Sequence, residues 1–133
     1  MQITLLQLEE KHAWNARRRE LLKKLKEELD QFARCSTGYR AVVYGSYLTE
    51  KPEPGDMDLI IAYDRRMGAK NCRSGFGFPF LHKGDIQIKT EERMGCTTPL
   101  PSAADLVKGF NDFPTNAAKG IRIEPGTWTE LVA

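Results

Sequence analysis

The sequence predicts one α/β domain, of the α+β kind, with a long N-terminal helix. Three observations carry this. A long amphipathic segment opens the chain, three short runs rich in β-formers follow it, and a late segment with a helix-start signal comes after them. At 133 residues the chain has the length of a single domain, and its 41% hydrophobic residues suffice for one core. Residues 1–133 are therefore read as one unit, with the long helix over 4–34 and the functional core over about 39–124.

The helix is expected because Leu21, Leu22, Leu25, Leu29 and Phe32 recur at steps of three and four, the period of one apolar stripe. The charged stretches RRRE, KK and KEE lie between them as a solvated face, and Gly38 in CSTG is the expected stop. Residues 39–44 and 56–63 read as strands, and a third is centred on 85–89. Between the second and third, RRMGAKNCRSGFGFPF is rich in glycine and basic residues and reads as a loop. TTPLPS is another loop. Ser102 with Asp105 makes an aspartate form of the capping box and starts a helix over 103–110. A last strand is expected around 120–124.

The net charge of +2 is too small to hold a nucleic-acid duplex, so nucleic acid is not an expected partner. The cysteines Cys35, Cys72 and Cys96 are odd in number and form no CxxC, which argues against a disulfide framework or zinc site. They are expected to be reduced thiols in a cytoplasmic protein. No apolar run approaches the roughly 18 residues that span a membrane. The start, MQITLLQLEEKHAW, lacks the basic and apolar regions of a signal peptide.

The chemistry concentrates in VVYGSYLTEKPEPGDMDLIIAY, residues 42–63. Side chains alternate along a strand, so Asp56 and Asp58 share one face, with Met57, Leu59 and Ile61 on the other. By the same rule Asp85, Gln87 and Lys89 share a face of the third strand. If the strands are neighbours, three carboxylates gather on one side of the sheet. Like charges so close repel unless a cation lies between them. Mg2+ takes carboxylate oxygens together with substrate phosphates, and Mn2+ could replace it. Asp56 and Asp58 are the expected metal ligands. Asp85 is expected to bind a second metal and to accept the proton of an attacking hydroxyl. Gly45 allows a tight turn and a close phosphate, and Ser46 offers a hydroxyl and a backbone N–H to it. A Walker A loop is absent.

A Gly-Ser pair at a strand end, then DxD opening a strand, then a third acid on a later strand resembles the DNA polymerase β-type nucleotidyltransferase superfamily. The matching residues are Gly45, Ser46, Asp56, Asp58 and Asp85, within about residues 40–90. The chain is most similar to the minimal nucleotidyltransferases of bacteria and phages, several of which act as antitoxins that adenylylate a HEPN-type toxin. YGSYLTEKPEPGDMDLII also resembles a group of uncharacterised bacterial and phage proteins with KPEPxDxD. The resemblance implies a small mixed β-sheet packed on helices on one face, with the metal site open on the other. It implies attack of a hydroxyl on the α-phosphate of a nucleoside triphosphate, AMP from ATP in the first instance, with release of pyrophosphate and two-metal chemistry. The acceptor would be a protein or small molecule. The chain departs from the family where Pro52 and Pro54 cut short the helix that usually follows Gly-Ser.

Other residues carry less. Lys51, Arg65, Arg66, Lys70 and Arg73 could clamp phosphates, though each alone reads more simply as a solvated charge. Lys89, sharing the face of Asp85, is the better phosphate ligand. The run Arg17 to Arg19 reads as the wet side of a helix. Phe76 or Phe78 could stack on a base. His12 and His82 receive no role. Trp14 and Trp128 read as packing residues or interface anchors. The competing reading is an antitoxin-like or phage regulatory protein that acts mainly by binding, with the stripe of the N-terminal helix laid on a partner or on a second copy.

Overall fold

The structure is a computed structural model that describes residues 2–65, 85–94 and 99–132. Its sheet runs in the order β1-β5-β2-β3-β4. The strands are β1 (Gln2–Thr4), β2 (Ser36–Tyr44), β3 (Met57–Arg65), β4 (Ile86–Met94) and β5 (Trp128–Val132). β2 is antiparallel to β3 and β5, whereas β3–β4 and β1–β5 are parallel, so the sheet is mixed. The helices are α1 (Leu5–His12), α2 (Ala16–Cys35), α3 (Ala103–Asp112) and α4 (Pro114–Lys119). The expected α+β class with a small mixed sheet is the one observed, but helices pack on both faces of the sheet rather than on one, because α3 buries its own apolar residues opposite α2.

The long helix lies where its stripe demands. Leu21, Leu22, Leu25, Leu29 and Phe32 bury themselves with Ala41, Val43, Met57, Leu59 and Ile61 in one core on one sheet face. The stripe is thus spent on the chain's own sheet: Leu25 is 0% exposed and Leu29 4%, which leaves neither to lay on a partner. A smaller cluster on the other face joins Val42, Ile60 and Ala62 to Ala103, Leu106 and Val107 of α3. The second face is therefore partly roofed by α3, and Asp58 on that face is half-buried.

Several boundaries differ from the expectation. The helix over 4–34 is two helices. Thr4 and Gln7 form a capping box that starts α1, and Asn15, extended at φ −142°, accepts from the Arg18 N–H to start α2. The apolar period continues across this break and hides it. Helix α2 runs to Cys35 and passes straight into β2, rather than stopping at Gly38. Ser36 is already extended, and its hydroxyl donates to the Phe32 carbonyl at 2.6 Å. The last strand lies at Trp128–Val132, not around 120–124. Backbone near Ile123 finds its partners elsewhere: the Asn111 amide accepts from Ile123 N and donates to Ile123 O, at 2.7 and 3.0 Å. The short α3 begins as expected, with Ser102 accepting from Asp105 N.

Candidate functional site

β3 holds the site at its start. Asp56 precedes the strand and Asp58 is its second residue. Met57, Leu59 and Ile61 are all fully buried in the core against α2, and Ile60 packs in the cluster under α3. Alternation therefore puts Asp58 on the α3 side of the sheet, as expected. Across the ladders Asp58 pairs with Tyr44 of β2 and with Gln87 of β4, and Ile60 pairs with Lys89. Lys89 thus stands one row along the same face from Asp58.

Gly45 and Asp58 are built against each other. Gly45 has φ 87° and ψ −159°, a region essentially restricted to glycine. A Cβ placed there would stand 2.5 Å from Asp58 Oδ2. The backbone at 45 can therefore touch the carboxylate only because it carries no side chain. This contact makes the Gly-Ser turn and the DxD one construction. Ser46 opens a single 3₁₀ turn (Ser46–Leu48), which is all the helix that Pro52 and Pro54 leave room for.

The electrostatics single out Asp58. The Asp58 carboxyl is pushed up to about 6, first by burial and next by the charge of Asp56, with Lys89 opposing. Burial raises the Tyr44 hydroxyl well above its ordinary value, helped by the charges of Asp58 and Asp56.

Asp85 does not join the pair. Its carbonyl accepts from Met57 N at 2.8 Å, which extends the β3–β4 ladder, but its side chain turns to α2. There Arg17 Nη2 donates to Oδ1 at 3.0 Å and Lys24 Nζ to Oδ2. The Lys24 bond, followed by the Arg17 bond, holds the Asp85 carboxyl below the usual range. The physical reason is that Asp85 is a turn residue one position before β4, so strand alternation does not bind its side chain, and two cations lie within reach. In the row where a third acid would face Asp58 stands Gln87. Among the described residues no three His, Cys, Asp or Glu side chains come together as a metal cluster.

The arginine run is not uniformly the wet side of a helix. Arg19 is exposed and Arg17 partly so, but Arg18 is 0% exposed. Its guanidinium donates to the carbonyls of His12, Tyr47, Thr49 and Lys51, and it stacks 4.7 Å from the Trp14 ring and 5.1 Å from that of Tyr47. The Tyr47 hydroxyl returns a bond to Arg18 O at 3.0 Å. Arg17 donates to Pro54 O at 3.2 Å and Gly55 O at 2.7 Å, and Asn15 to Pro52 O. The first turn of α2 thereby straps the whole segment between Gly-Ser and DxD. Sequence reasoning missed this role. Nothing in an arginine run distinguishes a buried fork from a solvated one, because its acceptors lie about 30 residues away (Arg18 to Thr49 spans 31).

Lys51 is exposed, with its carbonyl on Arg18. His12 is buried near Tyr47, and burial lowers its pKa. Trp128 is half-buried beside the α3 cluster. Cys35 is disulfide-bonded, which corrects the expectation of reduced thiols at this residue. The side chain of Arg65 and residues Arg66, Lys70, Cys72, Arg73, Phe76, Phe78, His82 and Cys96 lie outside the described residues. No described helix is long and apolar enough to cross a membrane.

Two clefts lie on this side of the sheet, and neither is lined by Asp56 or Asp58. A cleft of about 620 Å³ lies between β3–β4 and α3–α4, and a second of about 350 Å³ lies beside Gly45 and Tyr44, with Phe110 lining both. Fold and site together define a small α+β domain with a paired-carboxylate centre on the α3 side of its sheet. The chain belongs to the family of unknown function DUF6932, whose model matches residues 1–116. Comparisons with curated proteins and with solved structures return no match.

Proposed function

We propose that this chain is a metal-dependent nucleotidyltransferase that moves a nucleoside monophosphate, AMP from ATP in the first instance, onto a hydroxyl of a protein or small molecule. The observation that carries this is the Asp58 carboxylate seated against the side-chain-free Gly45, with the charge of Asp56 beside it. A half-buried carboxylate with a raised pKa, with the charge of a second carboxylate beside it, fits a divalent cation. Asp56 and Asp58 would hold Mg2+ or Mn2+, which when bound supplies Lewis-acid stabilisation of phosphoryl oxygens. Gly45 lets a phosphate approach the backbone, Ser46 offers it a hydroxyl, and Lys89 draws its negative charge along the face. Asp85, in contact with Arg17 and Lys24, braces the turn before Asp56.

That placement of Asp85 favours a second reading. With Gln87 in the facing row, the domain could bind a nucleotide without transferring it and act through a protein partner, as an antitoxin-like regulator would. One experiment separates the two. The protein is incubated with Mg2+ and α-labelled ATP, with and without cell lysate, beside Asp58→Ala. Label transferred by wild type alone supports the transferase. ATP binding without transfer supports the regulator. Transfer by Asp58→Ala would overturn the site, and absence of any ATP binding would overturn both readings.

A further inference from the structure

We propose that the cleft between β4 and α3–α4 receives the nucleoside end of the triphosphate, with a purine ring against Phe113. This rests on the nucleotide reading above and assigns the base to one of two clefts. The cleft of about 620 Å³ falls within the roughly 300–1,000 Å³ of small-molecule sites. Its chemistry is graded along the sheet face. Lys89, which stands one row along the same sheet face from Asp58, is among its lining residues, and this is the side where phosphates would lie. Ile60, one row beyond Asp58 and so about 7 Å along the strand, makes an apolar floor with Leu106. Phe110 and Phe113 supply aromatic surface, and Asn116 stands among them as an amide.

Phe113 is the informative residue. It is 59% exposed, sits at the junction of α3 and α4, and lines the cleft. An exposed ring lining a cleft with a cation at its near end suits a flat ligand with an anionic tail. Asn116 is held by its Nδ2, which donates to Phe110 O at 2.8 Å, and so its Oδ1 is left to accept. An acceptor in that position suits the exocyclic amine of adenine. The smaller cleft across Phe110 is lined by Tyr44, Gly45 and Ile121 and does not contain Lys89.

The test is a binding titration of the full chain with ATP and, separately, with inorganic tripolyphosphate, both with Mg2+. It compares wild type, Phe113→Ser and, as the control in the other cleft, Ile121→Ser. Phe113→Ser is expected to weaken ATP about tenfold, the loss of one base–aromatic stack, and to leave tripolyphosphate unchanged. Ile121→Ser is expected to change neither. Equal loss of both ligands in Phe113→Ser would mark a structural role and overturn the inference. So would unchanged ATP binding in Phe113→Ser, or a loss confined to Ile121→Ser. These outcomes leave the nucleotide reading standing. Wild type that binds neither ligand overturns that reading and the inference with it.

Discussion

Asp58→Asn keeps the shape of the side chain and removes its charge. In the folded protein the Asp58 carboxyl is pushed up to about 6 from an ordinary 3.8, by burial first and Asp56 second. A carboxyl with a folded pKa above its unfolded one binds its proton more readily when folded. Between the two values the folded state holds more protons than the unfolded chain, so stability falls as pH rises from about 4 to about 6 and stays low above that. At 1.36 kcal/mol per tenfold, the ceiling is about 3 kcal/mol. Asp58 is only half-buried, and solvent screening reduces this to about 1–2 kcal/mol. Asp58→Asn should therefore be about 1–2 kcal/mol more stable than wild type at pH 8, and the gap should close near pH 4. Urea unfolding at unit steps of pH reads the difference directly. A variant less stable than wild type at pH 8, or a gap that does not depend on pH, would refute the argument that burying the Asp58 charge beside Asp56 costs stability at this site. The same variant should lose nucleotidyl transfer, so that stability and activity move in opposite directions.

Gly45→Ala should cost about 1–3 kcal/mol, because its backbone lies in a region reserved for glycine. The clash with Oδ2 is relieved by rotating the free end of Asp58, so activity should fall at least tenfold while the fold persists; wild-type turnover in this variant would separate Gly45 from the site. Arg18→Met leaves the carbonyls of Tyr47, Thr49 and Lys51 without their donor and should destabilise by about 3–5 kcal/mol. Arg18→Lys should rescue little of this, since an ammonium lacks the planar fork; an Arg18→Met loss below about 1 kcal/mol in urea would show the strap to be dispensable.

Much of the site was legible in the chain because strand alternation is a local rule. It puts Asp56 and Asp58 together, sends Met57, Leu59 and Ile61 to the core, and leaves Lys89 on the carboxylate side, all as observed. It failed at Asp85, which lies one residue outside the strand where the rule applies. It also failed at 120–124, where a run of β-formers meets the Asn111 amide in place of a ladder. The break between α1 and α2 was hidden for a different reason: Asn15 is a good cap, yet the apolar period passes through it.

By itself the sequence determined the long helix's buried stripe, the strand faces and the placing of Asp56 and Asp58 on one of them. These follow from periodicity and residue chemistry over a few positions. Only the tertiary structure decided that Arg17 and Lys24 take Asp85 away from Asp58, that Arg18 goes into the interior to strap residues 47–51, and that β1 and β5 pair across nearly the whole chain. An ion pair or a ladder partner is set by which distant segment arrives within a few ångströms, and no local pattern carries that information.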